Sequence, residues 1–156
     1  MVHAHHILLC AHLPREIVVV KYLHSKKIIH NDLHGSNILI NDEKNIPYII
    51  DFGMATNMHQ GKVYNIAGTS RHAAFNRNHP YLAHELRNKP ESRTCAATDV
   101  YSLGYCLYIL TPSGSSVKNT VIHDISKRMM HPDRVKRLLL EDVVIKLYAH
   151  LTSLVK

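Results

Sequence analysis

The stretch from His30 to Gly53, "HNDLHGSNILINDEKNIPYIIDFG", constrains this chain more than any other part of it. It opens on eight mostly polar positions, then gives "ILI" (Ile38 to Ile40), a turn-like "NDEKNIP", "YII" (Tyr48 to Ile50) and Asp51. Two short β-branched runs around a segment rich in Asn, Asp and Pro predict a hairpin. A hairpin brings the chain back almost to where it started, so Asp32, Asn37 and Asp51 are expected to converge. That grouping suits phosphoryl transfer. One carboxylate orients the attacking hydroxyl and takes its proton, while hard oxygen ligands hold Mg²⁺, with Asn37 a suitable neutral ligand.

The flanks fit a mainly helical frame. "REIVVVKYLHS" (Arg15 to Ser25) places Ile17, Val20, Tyr22 and Leu23 at spacings of a buried helix. The β-branched "IVVV" alone would serve equally as a strand, and the hairpin that follows favours the helix. From Asp51 to Pro80 periodicity is lost, over about thirty residues, too long for an idle connector in a compact domain. "ATDVYSLGYCLYIL" (Ala97 to Leu110) is nearly all apolar beyond Asp99 and Ser102 and predicts a central helix buried all round, with Tyr105 and Tyr108 in the core. "TPSGSS" breaks it. "HDISKRMM" and "LEDVVIKLYAHLTSL" read as two amphipathic helices separated by His131, Pro132 and Asp133. At 156 residues and 46% hydrophobic content, one domain is expected over 1–156.

In this order and spacing the sequence resembles the carboxy-terminal lobe of the eukaryotic protein kinases, from about Leu23 to Leu151. "YLHSKKIIHNDLHGSNILI" is similar to the end of the long lobe helix, the H-R-D-L-x-x-x-x-N catalytic loop and the next strand. "IIDFGMA" matches the D-F-G element. "AGTSRHAAFNRNHPYLAHEL" resembles an activation segment, about 51–85, ending in a variant A-P-E. "TDVYSLG" resembles the start of the central helix, and "RLLLEDVVIKL" the closing one. The resemblance implies a mainly α fold with a small β-hairpin. It makes Asp32 the catalytic base, puts Asn37 and Asp51 on Mg²⁺, and assigns Asn37, Asp51 and Gly53 to the nucleotide site. His30 and Phe52 become packing residues, Asp99 a brace on the catalytic-loop backbone, and Glu85 with Arg137 an ion pair. ATP and Mg²⁺ are the implied cofactors and a protein hydroxyl the acceptor.

Departures from the family pattern matter as well. No glycine-rich loop, V-A-I-K-like lysine or partner-helix glutamate precedes Leu23, so the amino-terminal lobe is expected to be absent from this polypeptide and supplied in cis or in trans. The alternative is a noncatalytic, pseudokinase-like module that binds a regulatory protein. Without that lobe, apolar surface near Leu39 and Ile49 is expected to lie bare. Asn31 replaces the arginine of H-R-D and removes the usual pocket for a phosphorylated loop, although Tyr64, Thr69 and Ser70 offer hydroxyls there. His34 and Ser36 stand where the family carries the lysine or arginine that marks the acceptor class. His84 replaces the proline of A-P-E.

Charge and cysteine usage narrow the partners. Nineteen Lys and Arg against twelve Asp and Glu give a formal +7, but the basic residues are scattered (Arg15, Lys21, Lys26, Lys62, Arg71, Arg87, Lys118, Arg128, Arg137). They form no clustered stripe of the kind nucleic acid selects, so nucleic acid is not the expected partner. The histidines of "HAHH" (His3, His5, His6) lack a Cys or carboxylate at zinc spacing. Cys10, Cys95 and Cys106 read as free thiols, which with no signal or membrane-spanning run predicts the cytoplasm or nucleus.

Overall fold

A computed structural model of the chain describes residues 2–41, 43–44, 46–63, 78–88, 91–111 and 121–154, with the backbone alone along 2–13 and at 154. Helix α1 (Val2–Ser25) starts well before the predicted Arg15 and runs through Pro14. It is followed by β1 (Ile28–Ile29), β2 (Ile38–Asn41), β3 (Ile46–Ile49), β4 (Thr56–Asn57), α2 (His84–Asn88), α3 (Ala96–Leu110), α4 (Val121–Met129) and α5 (Leu140–Leu154). The fold is mainly helical with a small antiparallel β part, as the sequence led us to expect.

The core gathers on α3. Val100, Leu103 and Leu107 meet Ile17 and Val20 of α1, Ile122, Ile125 and Met129 of α4, and Val143 and Leu147 of α5. Gly104 sets how closely α3 and α4 approach, since a Cβ there would lie 2.6 Å from Met129 Cβ and 3.1 Å from the Ser126 carbonyl oxygen. The end of α3 corrects the expectation of burial all round, and with it the placing of Tyr108 in the core. Leu107 is buried, but Tyr108 and Ile109 are about half exposed, because each successive side chain turns about 100° round the helix axis and the core covers one side. Tyr105 is only partly buried.

The predicted hairpin is β2–β3, paired Ile38 to Ile49, Leu39 to Tyr48, Ile40 to Pro47 and Asn41 to Ile46. Period-two alternation turns Ile38, Pro47 and Ile49 inward, where Ile38 and Ile49 pack on the core. Leu39, Ile46 and Tyr48 face outward and are 50%, 43% and 47% exposed. Bare apolar surface at Leu39 is therefore present, but its cross-strand partner is Tyr48; Ile49 lies on the other face. A second pairing, β1 with β4, joins Ile28 to Asn57 and Ile29 to Thr56. It clasps the two ends of the loop system that α1 and the hairpin present.

Candidate active site

The turn out of α1 sets the loop's starting direction. Ser25 Oγ donates to the Tyr22 carbonyl at 2.7 Å, Lys26 N donates to Leu23 O at 3.0 Å, and Lys27 takes the left-handed conformation at φ 62°. After β1, His30 and Asn31 pass over the first turn of α3, where Asp99 waits with its side chain 1% exposed. Asp99 Oδ2 accepts from His30 N at 2.8 Å and Oδ1 from Asn31 N at 2.9 Å, while His24 Nε2 lies 3.0 Å from Oδ2. A buried carboxylate costs dearly unless its lone pairs are used, and these three partners use them. The bonds hold Asn31 at φ 70°, a left-handed conformation that Asn adopts more readily than most residues.

His30 is fully buried and links the two arms of the site. Its Nε2 lies 3.0 Å from the Ile50 carbonyl, which can only accept, so Nε2 carries the proton and Nδ1 is left to accept from Asp32 N at 3.3 Å. Phe52 meets the His30 ring edge to face at 4.9 Å and keeps its other side exposed. Asn31 donates through Nδ2 to Met54 O at 2.8 Å and to Thr56 Oγ1 at 2.9 Å, so the residue standing in place of arginine ties the loop to β4.

Asp32 and Asn37 meet directly. Asn37, in the 3-10 turn Gly35–Asn37, donates through Nδ2 to Asp32 O at 2.9 Å and Oδ2 at 3.3 Å, with His34 Nε2 at 3.1 Å. These bonds occupy its amide nitrogen and leave the side-chain oxygen as the atom it can offer a cation. Asp51 arrives through the hairpin. Ile50 N donates to Asn37 O at 3.0 Å, so Asp51 follows a residue bonded to Asn37 itself. Asp51 is left-handed at φ 60°, and its Oδ1 accepts from Gly53 N at 3.1 Å. A Cβ at Gly53 would press on that same oxygen at 3.1 Å. Among the described residues no three or more His, Cys, Asp or Glu side chains form a metal cage. The carboxylate of Asp51 and the amide oxygen of Asn37 are hard oxygen donors of the kind that fit Mg²⁺, which keeps waters and substrate phosphates as its remaining ligands.

Further out, Arg137 and Glu85 form a two-pronged pair, with Nη1 to Oε1 at 2.8 Å and Nη2 to Oε2 at 2.6 Å. Arg137 also donates to Ala97 O at 2.8 Å and His131 O at 2.9 Å, and its guanidinium stands 5.1 Å over the Tyr101 ring. This joins α2 to the segment preceding α5, beneath the start of α3.

A model of the family described as "Protein kinase domain" matches residues 11–149. The chain belongs to the protein kinase family. It is similar to the "Probable serine/threonine-protein kinase zyg-1" of Caenorhabditis briggsae, 32% identical over 154 residues, covering 88% of this chain and 20% of that protein. It is 34% identical over 134 residues to serine/threonine-protein kinase PLK4 of Xenopus laevis, covering 81% of this chain and 13% of the relative. To the Raf homolog serine/threonine-protein kinase of Caenorhabditis elegans it is 30% identical over 123 residues, covering 75% and 15%. The chain thus spans a fifth or less of the length of these relatives. Among the described residues no helix is long and apolar enough to cross a membrane.

Three groups of the kinase lobe were not picked out from sequence. Tyr81 donates from its hydroxyl to Asp32 Oδ1 at 3.1 Å, and His79 Nδ1 lies 2.9 Å from that hydroxyl. His24 reaches Asp99. Glu16 is buried beside Cys106 in a cavity of about 120 Å³ that Ile38, Ile40 and Ile109 also line. Burial pushes the Glu16 carboxyl up to about 7, and burial with the nearby Glu16 charge pushes the Cys106 thiol up to about 12. Of these, Tyr81 alone had a sequence cue, its place four residues before Glu85 in "PYLAHE". Tyr64, Thr69, Ser70 and the side chains of His3, His5, His6 and Cys10 lie outside what is described. Cys95 and Cys106 are free thiols.

Proposed function

We propose that this chain is the catalytic-loop half of a protein kinase of the cytoplasm or nucleus, transferring the γ-phosphoryl group of ATP to a protein hydroxyl once an amino-terminal lobe completes the nucleotide cleft. Asp32 orients the acceptor hydroxyl and takes its proton. Asn37 and Asp51 would hold Mg²⁺ through side-chain oxygens. When bound, that cation supplies charge neutralisation at the phosphates. His30 fixes the backbone of Asp32 relative to Ile50, and Asp99 holds the loop from below. The observation that carries the reading is the Ile50 to Asn37 backbone bond together with the Asn37 to Asp32 side-chain bond, which support one site built from Asp32, Asn37 and Asp51. Transfer depends chiefly on positioning, and these 156 residues hold no lysine or glycine-rich loop in the family's places to anchor the phosphates.

A radiolabelled transfer assay tests it. Residues 1–156 alone should give no steady phosphorylation, and the same chain fused to a compatible amino-terminal lobe should give transfer that Asp32→Ala or Asp51→Ala abolishes. A fused chain that binds nucleotide yet transfers nothing would replace this reading with the pseudokinase-like module that binds a regulatory protein. Transfer unaffected by Asp32→Ala would overturn the assignment of the base.

A further inference from the structure

Asp32 has two carboxylate oxygens, and they do different things. Oδ2 faces Asn37 Nδ2 at 3.3 Å and His34 Nε2 at 3.6 Å, so it is turned toward the loop that positions it. Oδ1 is the oxygen left to receive a proton from an acceptor, and the Tyr81 hydroxyl already stands on it at 3.1 Å. A hydroxyl donating to the base within about 2.6–3.2 Å is the geometry an acceptor must reach before transfer. Tyr81 is held there from several sides. His79 Nδ1 lies 2.9 Å from its oxygen, the His34 ring is tilted against its ring at 4.8 Å, and Ser102 Oγ of α3 donates to its carbonyl at 2.9 Å. The two residues that follow it, Leu82 and Ala83, are buried and anchor the segment. Tyr81 itself is only partly buried.

We infer that the Tyr81 hydroxyl occupies the acceptor seat on Asp32, and that a protein hydroxyl enters only by displacing it. Tyr81 is then a positioning residue that gates the site, with His79 and His34 setting how firmly the gate is held. The inference rests on Asp32 being the base of the proposed kinase. A substrate that offers a hydroxyl gains its bond to Asp32 but must first release Tyr81's, so in the native chain the two nearly cancel. A bond to a charged acceptor is worth about a tenfold change in affinity, and that is the gain expected once Tyr81 gives up its hydroxyl.

The test compares binding of two fluorescent peptides to the 156-residue chain by anisotropy: an eight-residue peptide with a central serine and degenerate flanks, and its alanine twin. The native chain should bind both within about twofold, and Tyr81→Phe, which keeps the ring, should bind the serine peptide about tenfold tighter than the alanine one. If a thermal melt shows that Tyr81→Phe does not fold, His79→Ala, which removes the partner holding the hydroxyl, is read by the same ratio. An unchanged ratio in the folded variant would overturn the seat. So would phosphate found on Tyr81 by mass spectrometry after transfer by the fused chain, because Tyr81 would then be the acceptor and not a gate. A ratio that shifts as expected while the fused chain transfers nothing keeps the seat and removes the kinase reading; normal transfer with an unchanged ratio does the reverse.

Discussion

Glu16 lies on the buried face of α1 against Cys106 of α3, with no lysine or arginine among the side chains lining its cavity. Replacing it with glutamine removes the charge and keeps the shape. The folded carboxyl is pushed from an ordinary 4.5 up to about 7 by burial. Between those values the folded chain holds a proton that the unfolded chain has released, so stability falls as pH rises through this window. It is intact below the lower value and fully lost above the upper one. Each factor of ten between the two ionisation constants is worth about 1.4 kcal/mol, so the loss approaches about 3 kcal/mol, of which about 2.5 falls between pH 5 and 8. Urea melts of both proteins at pH 5, 6, 7 and 8 isolate the effect, since other titrating groups cancel in the difference. Glu16→Gln should gain about 2.5 kcal/mol on the native chain across that range. A difference that stays constant to within about 0.5 kcal/mol would refute the reasoning, because a carboxyl that ionises as easily folded as unfolded leaves stability independent of pH.

Other expectations follow from the packing. Alanine at Glu85 or Arg137 should cost about 3–5 kcal/mol in denaturant melts, Arg137 the more because it also serves Ala97 O and His131 O, and the double variant should cost less than the sum. Gly104→Ala places a methyl group against Met129 and should destabilise the chain by about 1–3 kcal/mol, read as a lower urea midpoint at unchanged slope. Iodoacetamide at pH 8 should leave Cys106 unmodified in the folded chain and label it after unfolding, since its thiol is buried and pushed up to about 12. Tyr48→Lys with Leu39→Lys should lower self-association in sedimentation without lowering the melting temperature, because both side chains are about half exposed on one face of the hairpin.

The hairpin was legible because alternation and turn chemistry are local, and α5 was found at its observed bounds because its amphipathic pattern is uninterrupted. The start of α1 was not, since "HAHHILLCAHLP" offers no clean period and carries a proline. The β1–β4 pair has two residues a side, too few to leave a pattern, and α2 is a single short turn of helix. Within the site, the approach of Asp32, Asn37 and Asp51 could be argued from the hairpin alone. The grip of Asp99 on the loop backbone and the Glu85 to Arg137 pair came only from the family resemblance, since residues 52 to 69 positions apart leave no local signal. Tyr81 on Asp32 depends on how a whole segment folds back across the site, and nothing in the spacing of residues 32 and 81 encodes it. Glu16 was passed over because one acid in "REIVVV" looks like a solvent-facing position until the helix is set against α3.

Asp99 grips the catalytic loop by its main chain, through the amides of His30 and Asn31, and asks nothing of the side chain at position 31. Every amino acid except proline brings that amide. This grip is thereby independent of the side chain at 31, apart from a preference for residues that accept a left-handed backbone. In this chain the side chain is an asparagine that knits Met54 and Thr56 to the loop. Position 99 has no such freedom, because a single carboxylate must satisfy two amides at once. Random mutagenesis followed by selection for folded protein should therefore recover many residues at 31 and almost none but aspartate at 99, so the loop's shape is inherited through a helix that lies almost seventy residues downstream of it.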